Sequence, residues 1–185
     1  LTVVNLSTFK KEADIAVHVN PTRITSDSKG YVYVLSWGMW NGAGDDGKSA
    51  LSVIKAGTNK AEIAKLGDAG TIMAVQNDKL LICTTDYTNN TAKFTQYDIS
   101  KAKNNLGEGW IDQSFFAESQ TDEVKGLLNR TYYISVNPAN NDLYVSSSDY
   151  KTTGTVLIFD KDGKYKDQFA SGVINTQKVA FMQGK

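Results

Sequence analysis

Three loops in this chain gather aromatic, amide and carboxylate side chains in a way that suits ligand recognition. The first, WGMWNGAGDDGKS (37–49), carries Trp37, Met39, Trp40 and Asn41; the second carries Asp86, Tyr87, Asn89 and Asn90; the third carries Asp149, Tyr150 and Lys151. Shorter crossings between strand-like segments add Asn20, Arg23, Asp68, Asn129, Arg130, Tyr132 and Asn175. Rings supply contact area and polar tips fix orientation, so this set fits a sugar, a flat cofactor or a peptide. Each ring could instead pack its own loop. Burying Trp37, Met39 and Trp40 together in one glycine-rich loop is harder, which makes that loop the leading candidate. The ligand-binding set read from the sequence is Trp37, Met39, Trp40, Asn41, Tyr87, Arg130, Tyr132 and Tyr150, with no catalytic residue, no metal ligand and no cofactor.

Other chemistry is thinner. Asp45 and Asp46 among Gly42, Gly44 and Gly47 suggest a calcium loop, but the regular oxygen spacing and terminal Glu of an EF-hand are missing, so a solvated turn explains them better. DKDGK at 160–164 is likewise better explained as a hairpin turn. His18 is the sole histidine, which excludes a multi-histidine zinc site, and it is expected on an outer-edge strand, DIAVHVN (14–20). A second function class stays open: a hydrolase or lyase with a metal in a central channel, for which Asp27, Asp68, Asp86 and Asp149 are the candidates.

The elements that must position these loops form a repeat. GYVYVLSW and SALSVIK (30–37, 49–55) recur as KLLICTTDY and KFTQYDI (79–87, 93–99) and as DLYVSSSDY and TVLIFDK (142–150, 155–161). Val34, Ile82 and Val145 align, as do Ile54, Tyr97 and Phe159. The unit of roughly 40 to 50 residues is the period of a four-stranded propeller blade. Tyr31, Tyr33 and Leu35 fall on one face of their strand and Val32 and Val34 on the other, so both faces must be covered, as stacked blades would do. In a blade, the loops joining second to third strands share one end with the blade-to-blade crossings, and the remaining hairpins share the other.

The expected fold is therefore all-β: a β-propeller of four-stranded antiparallel blades, about half of a seven- or eight-bladed ring. Residues 1–20 read as half a blade, 21–67, 68–117 and 118–172 as whole blades, and 173–185 as the inner strand of a closing blade. A complete four-bladed ring is the competing reading. The expected partners are the missing N-terminal blades of the same protein or a second copy. An insertion from Lys101 to Arg130 holds Trp110, Phe115, Phe116 and a short amphipathic helix, TDEVKGLLN (121–129), with Val124, Leu127 and Leu128 on one side.

Composition adds exclusions. Twenty basic residues balance twenty acidic ones, which argues against a nucleic-acid partner. No apolar run approaches the roughly 20 residues needed to span a bilayer as a helix. Cys83 is the only cysteine and sits in LLICTTD, the setting of a buried thiol.

The run Val-Val-Asn-Leu-Ser-Thr (3–8), an outer strand, then Asn20-Pro21 leading to Gly-Tyr-Val-Tyr-Val, resembles the YVTN-type β-propeller repeat. More closely it resembles the surface-layer-like propeller lipoproteins of Bacteroidetes-type bacteria, and the GTVLIFDKDGK hairpin (154–164) resembles their C-terminus. The resemblance implies an exported protein of the cell surface or periplasm. The resemblance also implies a group that includes capture proteins for corrinoids passed to an outer-membrane transporter. With aromatic, amide-rich loops and no acid-base or metal constellation, the expected function is a non-catalytic ligand-binding or interaction propeller that captures a small nutrient such as a corrinoid or glycan for such a transporter. No ligand motif of the corrinoid binders can be matched residue by residue.

Overall fold

The computed structural model describes residues 1–39, 44–66, 69–86, 88–111, 114–116 and 120–182. The chain is a succession of antiparallel sheets: β1 (Thr2–Val4) and β2 (Lys11–Asp14) form a two-stranded sheet. β3 (Pro21–Ser26), β4 (Val32–Ser36), β5 (Ala50–Ile54) and β6 (Ala61–Lys65) form a four-stranded meander. β7 (Ala69–Gln76), β8 (Lys79–Asp86), β9 (Thr91–Tyr97) and the two-residue β10 (Trp110–Ile111) form the next. After helix α1 (Asp122–Leu128), β11 (Thr131–Val136), β12 (Leu143–Ser147), β13 (Thr155–Phe159) and β14 (Tyr165–Ala170) form the last. Consecutive strands are neighbours in all three meanders, and the fold class is a β-propeller of four-stranded antiparallel blades.

The register confirms the repeat. Ile54, Tyr97 and Phe159 each end a third strand and each pair with the start of a second strand, at Val32, Leu80 and Leu143. All three are buried. Two residues along, Val34, Ile82 and Val145 pair with Ser52, Thr95 and Leu157, and these too are buried on the second strands.

The chain divides into two compact units, Leu1–Gly70 with Ile99–Gly109, and Thr71–Asp98 with Trp110–Lys185. In the first, Ile15, Val34 and Ile54 form a core joined by Val3, Val17, Val32 and Ala61. The expected strand over 14–20 is not there: β2 ends at Asp14, and the following residues cross the first meander. The His18 N–H donates to Ser52 Oγ (3.0 Å), and the His18 carbonyl accepts from Ser36 Oγ (3.0 Å). Ile15 and Val17 alternate because they face Val34 and Ile54, and a chain crossing a sheet leaves the same period-two signature as a strand within one.

In the second unit, the second and third meanders stack through one core. Ile72, Leu81, Cys83 and Phe94 meet Leu143, Val145, Leu157 and Phe159, and Phe116 sits between, 4.7 Å from Phe94 and 4.4 Å from Phe159 by ring centroids. The Cys83 thiol is buried, as expected. Helix α1 begins at Thr121, whose hydroxyl accepts from the Val124 N–H (3.3 Å), and it buries Val124 and Leu128 in this core with Leu127 beside them. Residues 177–182 belong to no strand. They cross the last meander, where the Val179 N–H donates to Ser135 Oγ (2.9 Å) and Phe181 meets Tyr144 edge-on at 4.9 Å.

Candidate ligand-binding site

At the loop end of the last meander, three segments converge on Ser148, which directly follows β12. Its N–H donates to the Arg130 carbonyl (3.0 Å), its hydroxyl donates to Asn175 Oδ1 (2.6 Å), and the same oxygen accepts from the Tyr150 N–H (3.0 Å). One buried residue thus joins the crossing before β11 through its N–H, and the β12–β13 loop and the segment after β14 through its hydroxyl. Asp149 closes the loop from its other side: Oδ1 accepts from the N–H groups of Lys151 (2.8 Å) and Thr152 (2.7 Å), and Oδ2 from the Thr152 hydroxyl (2.7 Å). The amide and hydroxyl of Thr152, with the Lys151 amide, hold its carboxyl well below the ordinary carboxylate range.

Two tyrosines stand on this frame. Tyr132 occupies a register shift between Thr131 and Tyr133, a bulge that re-aims its side chain. Tyr150 lies beside it, ring centroids 5.7 Å apart and edge-on, and is 68% exposed. The backbone of Tyr150 is left-handed (φ 63°), a costly conformation for a bulky residue. Arg130, also exposed, meets this frame through its backbone carbonyl. Of the residues named from the sequence, Tyr132 and Tyr150 are brought together by their rings, and Arg130 is linked to their frame by its carbonyl. Ser148 and Asn175 hold them, and the role of Ser148 was not foreseen, because a serine ending a Ser-rich strand carries no signal of its own.

The β8–β9 loop repeats the carboxylate device. Asp86 Oδ1 accepts from the N–H groups of Thr88 (2.9 Å) and Asn89 (3.1 Å), and Oδ2 from the Asn89 side-chain amide (2.7 Å). That side-chain bond, with the two amides, lowers the Asp86 pKa. Tyr87, next in the chain, lies outside the described residues.

In the first unit, the β4–β5 loop is built differently. The Trp37 N–H donates to the Asn20 carbonyl (3.0 Å), the equivalent of the Ser148–Arg130 bond, and the Asn20 side chain donates to the Gly38 carbonyl (3.2 Å). Gly38 has φ +81°, and a Cβ there would lie 2.6 Å from the Lys48 carbonyl oxygen, so only glycine fits. A turn of 3-10 helix spans Gly44–Gly47, and the Asp46 carbonyl accepts from the Met39 N–H (2.6 Å). His18 Nε2 lies 2.8 Å from the Lys48 carbonyl oxygen. Trp37 and Met39 are about half exposed, at 48% and 52%. Trp40 and Asn41 lie outside the described residues.

Of the carboxylates considered for a metal, Asp86 and Asp149 brace their own loops, and Asp68 lies outside the described residues. Asp27 is at the hairpin end of the first meander, accepting from the Tyr33 hydroxyl (2.8 Å) and from the amides of Lys29 and Tyr31 (3.0 Å each). Asp160 likewise braces the β13–β14 hairpin, its Oδ1 accepting from the amides of Asp162 (3.0 Å) and Lys164 (2.9 Å), as a hairpin reading of DKDGK requires.

No protein-family model matches the chain, and no curated protein matches it. Among solved structures it is similar to a quinonprotein alcohol dehydrogenase-like protein from Bacteroides thetaiotaomicron, with 11% identity and a TM-score of 0.38 over 92% of this chain. The match covers 51% of that protein, so the chain spans about half its length.

Proposed function

We propose that this chain is a non-catalytic binding propeller whose ligand is held on the loop ends of its meanders. The observation that carries the reading is the Tyr132–Tyr150 pair, with Tyr150 exposed and held left-handed by Ser148 and Asp149. Two rings meeting edge-on at a braced loop end, one of them exposed on a left-handed backbone, suit a flat or polyhydroxylated ligand. Trp37 and Met39 give the first meander a second aromatic and thioether surface at its own loop end. The ligand class is a glycan, a corrinoid or a peptide. Export to the cell surface or periplasm, and delivery to an outer-membrane transporter, rest on the resemblance of the strand spelling to surface-layer-like propellers.

The test is a binding screen of glycans, corrinoids and peptides against the 185-residue chain, repeated with Tyr132→Ala and Trp37→Ala. Truncating an aromatic hot spot costs about 2 kcal/mol, or roughly thirtyfold in affinity. A ligand whose affinity ignores both substitutions contradicts the reading.

A further inference from the structure

The opposite end of the second unit carries a cleft that the aromatic loops do not use. It has a volume of about 300 Å³ and lies between the hairpins of the second and third meanders, lined by Gln76, Asn77, Lys79, Gln96, Phe115 and Lys161. Two of its walls are tied down. Gln76 is 4% exposed, and its side-chain amide donates to the Asn141 carbonyl (2.7 Å) and the Lys161 carbonyl (3.3 Å), tying β7 to both hairpins of the last meander. Phe115 is pinned against Gly163, where a Cβ would lie 2.5 Å from the Phe115 carbonyl oxygen. A site held this way loses little entropy on binding.

We propose that this cleft is a second binding site and that it takes a neutral sugar of one or two rings. The amides of Asn77 and Gln96 each present a donor and an acceptor side by side, the pattern that pairs with adjacent hydroxyls, and Phe115 supplies an apolar wall for a sugar's C–H face. An anion is disfavoured, because each lysine has its own carboxylate: Lys79 lies 4.0 Å from Asp98 and Lys161 2.7 Å from Asp162. The volume is at the small end of ligand sites, which run from roughly 300 to 1,000 Å³.

The experiment follows backbone amide NMR shifts of the 185-residue chain during titration with methyl β-D-glucoside, methyl α-D-mannoside, N-acetylglucosamine and maltose, with inorganic phosphate and glucuronate in parallel. The expected result is that at least one neutral sugar shifts the amides of 76–79, 94–96 and 161–163. Gln96→Ala should weaken that binding about tenfold, as expected for lost hydrogen bonds, while Tyr150→Ala leaves it unchanged. Asn77→Gly, which keeps the left-handed turn at φ 50°, is the second variant should Gln96→Ala unfold. Shifts from phosphate or glucuronate alone, lost in Lys79→Gln or Lys161→Gln, would overturn the proposal. So would the absence of any sugar-induced shift at these amides, or sugar binding indifferent to both Gln96→Ala and Asn77→Gly. Because Tyr150→Ala reports on the loop end alone, failure here is distinguishable from failure of the tyrosine site.

Discussion

The β4–β5 loop of the first meander and the β12–β13 loop of the last start from one backbone hydrogen bond and are braced, among the described residues, by different means. In both, the residue after the second strand donates its N–H to the residue before the first, Trp37 to Asn20 and Ser148 to Arg130, each at 3.0 Å. From there the first loop relies on close backbone approach, with Gly38 pressed against the Asp46 and Lys48 carbonyls, and on the Asn20 and His18 side chains set against its Gly38 and Lys48 carbonyls from outside the loop. The last relies on side chains, Ser148 and Asp149, that cap its amides. The difference teaches that a blade fixes where a loop begins and leaves open how it is held. A loop held by backbone and by side chains from outside it leaves its own side chains, such as Trp37 and Met39, available at the surface. A loop held by side chains must position its ring through strain, as Tyr150 does.

Substitutions can break this comparison at graded depth. The largest effect is expected at the repeat itself: Phe159→Ala should cost about 3–5 kcal/mol and Ile54→Ala about 2–5, because each deletes a buried side chain and leaves a cavity. Urea denaturation checks both, and a cost under about 1 kcal/mol at either would show that its position is not core. Next is Gly38→Ala, expected to destabilise by about 3 kcal/mol, since the new methyl meets backbone and φ is positive. An unchanged urea midpoint would mean that this loop is not held by close approach. Ser148→Ala should cost about 1–3 kcal/mol, because it removes a buried hydroxyl and orphans its partners, and hydrogen exchange at Tyr150 should quicken.

The smallest effect is pH-dependent. The folded pKa of Asp149 is depressed, so its contribution to stability is present above the ordinary carboxylate range and is lost as pH falls through the folded value. Asp149→Asn should therefore be less stable than wild type at pH 6, with the gap narrowing as the pH is lowered below about 4, the unfolded value. Denaturation midpoints of both proteins between pH 6 and pH 2 measure that gap, and a constant gap would mean that the carboxylate does not brace the loop.

The blades were legible because each repeats a local pattern. Strand alternation around Val34, Ile82 and Val145, and the turn residues at Asp162-Gly163, are encoded within a few residues, and the register of Ile54, Tyr97 and Phe159 follows from them. Residues 15–20 were misread because a crossing chain with Ile15 and Val17 facing a sheet alternates as a strand does. The convergence on Ser148 joins Arg130 and Asn175, and the cleft joins Gln76 to Lys161, 85 residues away. Such pairs meet only once the strands of a meander pair or two meanders stack, and no local pattern announces them.

Tyr150 carries the central claim, because its exposed ring on a left-handed backbone meets a second ring, Tyr132; Phe9 is exposed and left-handed as well, so the ring contact is what singles Tyr150 out. The most direct measurement compares Tyr150→Gly with wild type in two assays on the same samples, urea denaturation and affinity for the ligand recovered from the glycan, corrinoid and peptide screen. Glycine accepts φ 63° without strain, so the variant should match wild type in stability or gain about 1 kcal/mol, while its affinity falls roughly thirtyfold. A clear loss of stability with affinity intact would contradict the claim, making Tyr150 a loop-packing residue and moving the site elsewhere.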